Sequence, residues 1–122
     1  MRDLLAVMKA LADENRLRIV AALHGRELCL CQIVELLGLA TSTVSRHASI
    51  LQQARLVQSR KEGRWTYFRL DEDALPQAAE AKSLVVRALT GDAQIREDKK
   101  RLRQILKLDP EKLCRKQSEC KC

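Results

Sequence analysis

Aromatic residues are nearly missing from this sequence: 122 residues hold one Trp, one Tyr and one Phe. Sheets are built largely on aromatic and β-branched side chains, so an aliphatic, mainly helical core is expected. Long hydrophobic runs are missing too. No stretch is apolar for long enough to cross a bilayer, and the opening MRDLLAVMKALADE lacks the pattern of a signal peptide. A cytosolic (cytoplasmic) protein with no membrane partner is the expectation. Enzyme signatures are also missing. A thiol phosphatase or arsenate reductase needs Cys-x5-Arg, but the sixth residue after Cys29 is Glu35, after Cys31 it is Leu37, and after Cys114 it is Cys120. There is no Gly-rich phosphate loop and no Cys-x2-Cys redox pair. The reading is therefore not an enzyme.

Basic charge and cysteine are abundant. The net charge of +7 is unevenly spread: residues 1–40 are neutral, 41–70 carry +5, 71–98 carry −4 and 99–122 carry +6. The length suits one domain with a real core, over residues 1–108, followed by a Cys- and Lys-rich C-terminal tail over 109–122. Five cysteines are many for a short cytosolic chain, and an odd number cannot pair completely within it. A reducing compartment disfavours structural disulfides. The close spacings, Cys29-x-Cys31 and Cys114-x5-Cys120-x-Cys122, point instead to soft-metal binding or redox sensing.

In chain order, residues 3–12 read as a helix with Leu4, Met8 and Leu11 in one stripe and Leu5 beside it. It is a candidate dimer contact. Asp13 is placed to cap a second helix over residues 14–24, stopped by Gly25. Residues 30–37 form a short helical pattern with Ile33, Leu36 and Leu37 inward, ended by Gly38. Thr41 or Ser42 caps the next helix, to about residue 54, which buries Val44, Ala48 and Leu51. Its other side presents Ser42, Thr43, Ser45, Arg46 and Gln53. A short helix, a Gly-containing turn and a polar-faced helix make a helix–turn–helix.

Residues 57–61 and 64–70 read as strands around Glu62-Gly63, a basic hairpin or wing. That turn sets Val57 opposite Phe68, Ser59 opposite Thr66, and Arg60 opposite Trp65. Arg60 is then expected to stack on Trp65, worth roughly 0.5–1 kcal/mol if exposed. Lys61 and Arg64 meet at the tip, where a DNA phosphate between them would relieve their repulsion. A helix over about residues 73–90, with Pro76 in its first turn and an Ala-rich side including Ala74, precedes a last helix capped by Asp92. Ile95, Leu102, Ile105 and Leu106 make its apolar side, and Asp109-Pro110 ends it; the polar remainder is tail. The fold class is mainly α with one β-hairpin: four helices, a wing, then two more helices.

The segments DENRLRIV, ELCLCQIVELLGL, STVSRHASILQQARLV and KEGRWTYFRL resemble the ArsR/SmtB family of metal-responsive winged-helix repressors, in wording, order and spacing, over about residues 3–90. The resemblance implies a homodimer, through the first and the C-terminal helices, that binds double-stranded operator DNA and releases it on metal or metalloid binding. Thr43, Val44, Ser45, Arg46 and His47 match the start of the family's recognition helix, and Gly63 with the bases around it matches the wing. Cys29 and Cys31 match two thiols of the arsenic-responsive branch. The third thiol position is Val34, the familiar His-Leu pair is His47-Ala48, and the helix-ending Gly is Arg55. A non-Gly residue held left-handed there costs roughly 1 kcal/mol. The family's zinc site on its last helix uses His and carboxylates; with only His24 and His47 present, it is disfavoured.

Two roles follow. Ser42, Thr43, Ser45 and Arg46 on the recognition helix, with Arg60, Lys61 and Arg64 of the wing, are the expected DNA contacts. Trivalent arsenic or antimony is the expected inducer, because thiolates suit soft ions. Residues two apart share a side in extended chain but diverge in a helix, so joint chelation by Cys29 and Cys31 needs a distorted helix start. The third thiolate must come from Cys114, Cys120 or Cys122, unless those three form a separate site. The alternatives are a redox-switched repressor with the same reader, or a sensor of another soft metal such as cadmium or lead.

Overall fold

The computed structural model describes residues 1–72 and 75–119. Along it run α1 (Arg2–Leu11), α2 (Glu14–Ala22), β1 (Leu28–Cys29), α3 (Leu30–Leu37), α4 (Thr41–Gln53), β2 (Val57–Glu62), β3 (Trp65–Leu70), α5 (Pro76–Ala88), α6 (Ala93–Ile105) and α7 (Pro110–Glu119). The mainly helical, winged expectation is met, with two additions: β1, and α7 in the region read as tail. Residues 73 and 74, in the expected start of the fifth helix, lie outside the described residues, as do Cys120 and Cys122.

The caps show why the helices begin where they do. Asp13 accepts hydrogen bonds from the Asn15 and Arg16 backbone N–H groups at 2.8 and 3.1 Å, supplying partners that the first helical turn otherwise lacks. Asp92 does the same at α6. At α4, however, the N-cap is Ala40 with no side-chain cap, and Thr41 is already helical. Asp109-Pro110 was expected to end the sixth helix, but α6 has already stopped at Ile105 with Leu106 as its C-cap, and the pair opens α7 instead. Asp109 accepts from the Glu111 N–H at 3.0 Å, and Pro110 occupies the first helical position, where its missing N–H costs nothing.

The core is aliphatic, as the scarcity of aromatics requires. Ile19, Val20, Leu23, Leu28, Ile33, Val44, Leu51 and Leu56 are at most 1% exposed, and Phe68 is the aromatic residue buried with them. Val7 and Ala10 fix α1 to this core, which leaves Leu4, Leu5 and Met8 outside at 45, 49 and 55% exposure. The sheet order is β1-β3-β2, all antiparallel.

The hairpin register differs from expectation. Glu62 pairs with Trp65, so the turn is Gly63-Arg64, and the pairs become Val57–Leu70, Ser59–Phe68 and Arg60–Tyr67. Gly63 has φ +64, and the first position of a two-residue hairpin turn of type II′ favours glycine. Moving the turn one residue along shifts every partner by two and keeps each side chain on its face. Val57 and Phe68 thus still point inward, but Arg60 stacks on Tyr67, not Trp65.

Candidate nucleic-acid interface and thiol site

α3 and α4 are joined at Gly38, whose φ of +68 lets the chain reverse over three residues. Val44, Ala48 and Leu51 hold α4 down by one face. Ser42, Ser45 and Arg46 are exposed on the other, and Thr43 is half-buried. Neither the Arg46 nor the Lys61 side chain has a hydrogen bond or ion pair among the described residues. His47 is packed: Arg16 Nη1 lies 3.1 Å from its Nδ1. Guanidinium only donates, so Nδ1 accepts and the ring proton of the neutral form sits on Nε2. Arg16 also donates from Nε to the Ala10 carbonyl at 2.6 Å, tying α1, α2 and α4 together. The wing is fixed to α4 by Gln52 Nε2, which donates to Ser59 Oγ at 2.9 Å.

Arg60 is held differently from Lys61. Glu27 accepts from its Nη2 and Nε at 2.7 and 2.9 Å, and Glu62 accepts from Nη1 at 2.9 Å. Its guanidinium also lies 4.6 Å from the centroid of the Tyr67 ring. The Glu27 and Glu62 carboxylates raise the Arg60 pKa further, and Arg60 in turn holds Glu27 below the usual carboxylate value. Arg60 therefore stiffens the wing base while Lys61 and Arg64 present charge near its tip. Arg64 is 83% exposed; its Nη2 is 3.8 Å from Glu111 Oε1 on α7.

Cys29 is the N-cap of α3, extended in backbone, paired with Tyr67 through β1, and 2% exposed. Its N–H donates to Gln32 Oε1 at 2.9 Å. Cys31 is in the first turn of α3 and is joined to Cys114 of α7 by a disulfide, with a Cα–Cα distance of 5.4 Å. The expectation set disulfides aside on grounds of compartment; the fold brings these two sulfurs together because α7 lies along α3. Leu113 anchors α7 at 4% exposure, and Gln117 Nε2 donates to the Cys31 carbonyl at 2.8 Å. Cys29 is a free, buried thiol. Among the described residues no group of three or more His, Cys, Asp or Glu side chains could hold a metal ion, so Cys29, Cys31 and Cys114 do not form a preassembled trigonal site.

Sequence reasoning missed one anchoring residue. Asp98 of α6 is buried and accepts from Arg18 Nε and Nη2, both at 2.9 Å, and from Gln94 Nε2 at 3.0 Å. The signal was present: Asp98 falls between Ile95 and Leu102 on the apolar face.

These elements define a winged helix–turn–helix. The profile described as bacterial regulatory protein, arsR family, matches residues 13–59. The chain is 36% identical over 80 residues to a cadmium resistance transcriptional regulatory protein CadC homolog of Staphylococcus aureus (64% of this chain, 65% of that one). It is 37% identical over 86 residues to the arsenic resistance transcriptional regulator ArsR1 of Pseudomonas putida (66% of each). The match thus spans just under two thirds of the length of both relatives. An HTH-type transcriptional regulator of Methanocaldococcus jannaschii is 33% identical, over 58% of this chain and 81% of its own. Among solved structures, HlyU of Vibrio cholerae superposes with a TM-score of 0.64 at 26% identity, covering 75% of this chain and 92% of that one. A homodimeric winged helix-turn-helix DNA-binding domain of Mycobacterium bovis gives 0.61 at 26%, covering 74% and 78%. The chain belongs to the arsR family of bacterial regulatory proteins. Family and fold are those of transcriptional regulators, not of enzymes.

Proposed function

We propose that this chain is a homodimeric, DNA-binding repressor that releases its operator when trivalent arsenic or antimony binds its cysteine thiolates. One observation carries the reading: the exposed face of α4 and the basic wing tip lie on the same unit whose first helix begins at Cys29 and Cys31. Arg46, whose side chain has no partner among the described residues, is available for a guanine edge or a phosphate. Ser42, Thr43 and Ser45 flank it, and Lys61 and Arg64 supply backbone contacts beside the groove. The apolar stripe Leu4, Leu5 and Met8, with Leu84 of α5 at 58% exposure, supports a dimer through α1 and the later helices. Cys29, Cys31, Cys114, Cys120 and Cys122 are the candidate donors.

The test is fluorescence anisotropy on duplexes that the phosphine-reduced protein selects from a random-sequence pool. Sodium arsenite or antimonite should release the duplex. Arg64→Gln should lower the slope of log affinity against log salt by about one. Bound duplex that ignores both metalloids would remove the arsenic reading. A second reading is favoured by the Cys31–Cys114 bond: the same reader switched by thiol oxidation, shown by oxidant-driven release without metalloid. The name of the CadC homolog also keeps cadmium among the alternative inducers.

A further inference from the structure

We infer that the metalloid site is a clasp between helices: Cys31 of α3 and Cys114 of α7 are the ligand pair for trivalent arsenic, and Cys29 is not a ligand. This rests on the arsenic reading above and names the donors within it. Three observations point the same way. First, Cys31 and Cys114 already face each other at a Cα separation of 5.4 Å, close enough for two thiolates to share one ion at metal–sulfur distances of about 2.3 Å. Second, Cys29 and Cys31 are split by the start of α3. Bringing them to one ion would strip the Cys29 N–H from Gln32 and break the pairing of Cys29 with Tyr67. Third, a cavity of about 360 Å³ opens beside Cys114, lined by Arg64, Trp65, Glu111 and Arg115. It gives a small oxyacid a route to the Cys114 sulfur that the buried Cys29 lacks.

The capture step is a ligand exchange. The Cys31 and Cys114 S–H bonds and two As–OH bonds of arsenous acid break. Two As–S bonds form and two waters leave. The third hydroxyl stays on arsenic, in the cavity, and no electrons change hands. The disulfide is the same pair in its oxidised form, so capture requires the reduced chain. Closing the clasp fixes α7 along α3, with Glu111 beside Arg64 of the wing. The reader and the sensor are thereby joined through a single short helix.

Trp65, the sole tryptophan, lines the cavity and reports on it. The full-length chain, reduced with a phosphine, is titrated with sodium arsenite while Trp65 fluorescence is followed. Cys29→Ser should titrate like the parent. Cys31→Ser and Cys114→Ser should each bind about a hundredfold more weakly, since each removes one arm of a chelate. Cys31→Ala serves as a second variant should serine disturb α3, and circular dichroism checks that each variant is folded. If Cys29→Ser loses binding and Cys114→Ser keeps it, the ligand pair is Cys29 and Cys31 and the clasp is wrong. A loss confined to the Cys120→Ser/Cys122→Ser double variant overturns it equally. Arsenite captured by the clasp without release of DNA would leave the clasp standing and remove the reading that arsenic releases the operator. Release that depends on Cys29 but not on Cys114 would do the reverse. A parent chain that does not titrate overturns both.

Discussion

Arg55 carries the strain in this chain. With φ +62 it is the one non-glycine residue in the left-handed region among the described residues, just after the helix whose exposed face we assign to DNA. A Cβ in that region costs roughly 1 kcal/mol. Arg55→Gly should therefore raise stability by no more than about 0.5 kcal/mol, once the entropy glycine adds to the unfolded chain is subtracted. A urea midpoint that falls instead would show that the Arg55 side chain contributes more than its backbone costs. Asp13 poses a question of charge. Burial alone would raise its pKa. The Arg16 N–H, the Arg16 and His47 charges and the Asn15 N–H together outweigh that and lower it below 3.8. A carboxyl lowered by folding stabilises fully above its unfolded value, and that contribution disappears as pH falls through the folded value. Asp13→Ala should cost about 1 kcal/mol at pH 7, and the deficit should be smaller at a pH acid enough to protonate the folded carboxyl. Asp13→Asn, which still caps, should lose much less at pH 7. Urea melts of the three chains at both pH values read this directly.

At the scale of elements, α6 depends on a pair of which its apolar period marks one member, Asp98, but not the partner. Arg18 and Asp98 meet through two parallel hydrogen bonds with side chains only 15 and 8% exposed. Removing one charge leaves the other buried and unpaired. Asp98→Asn should therefore destabilise by about 3 kcal/mol, while an Arg18→Met/Asp98→Leu double change should cost far less. Equal losses in both would mean that the pair itself, and not the orphaned charge, is what holds α6 to α2. Most elements were legible because each combined a cap with a period: Asp13 and Asp92 before helices, Gly38 after one, Val44, Ala48 and Leu51 at helical spacing. The wing's faces were legible for the same reason, but its partners were not. Alternation fixes which side chain points inward, whereas register depends on which two residues turn, and Glu62-Gly63 and Gly63-Arg64 suit similar hairpins. α7 was missed because its sequence, PEKLCRKQSE, is mostly polar and shows almost no apolar period, although Asp109-Pro110-Glu111 is a helix opening as good as the one at Asp13. For the candidate site, the exposed residues of α4 could be read from spacing alone. The meeting of Cys31 with Cys114 could not, since it follows from how α6 and α7 return across α3.

Over the whole molecule, the contact between α7 and α3 closes a loop of 83 residues through Cys31 and Cys114. A crosslink of that span should stabilise the oxidised chain by about 4 kcal/mol, chiefly by restricting the unfolded state. That is a large share of the roughly 5–15 kcal/mol that holds a domain of this kind together. Reduction by a phosphine should lower the urea midpoint accordingly, and Cys114→Ser, reduced or not, should melt with the reduced parent. Cys29→Ser should keep the full oxidised–reduced difference, because its thiol is outside the link. The same experiment bears on sensing. With Cys31 and Cys114 bonded to each other, the clasp has no thiol for arsenic, so the oxidised parent should leave Trp65 fluorescence unmoved by arsenite while the reduced parent responds. Oxidised and reduced chains with the same midpoint would mean that α7 does not hold α3 through these sulfurs. The coupling from thiols to wing would then have to run through the core instead.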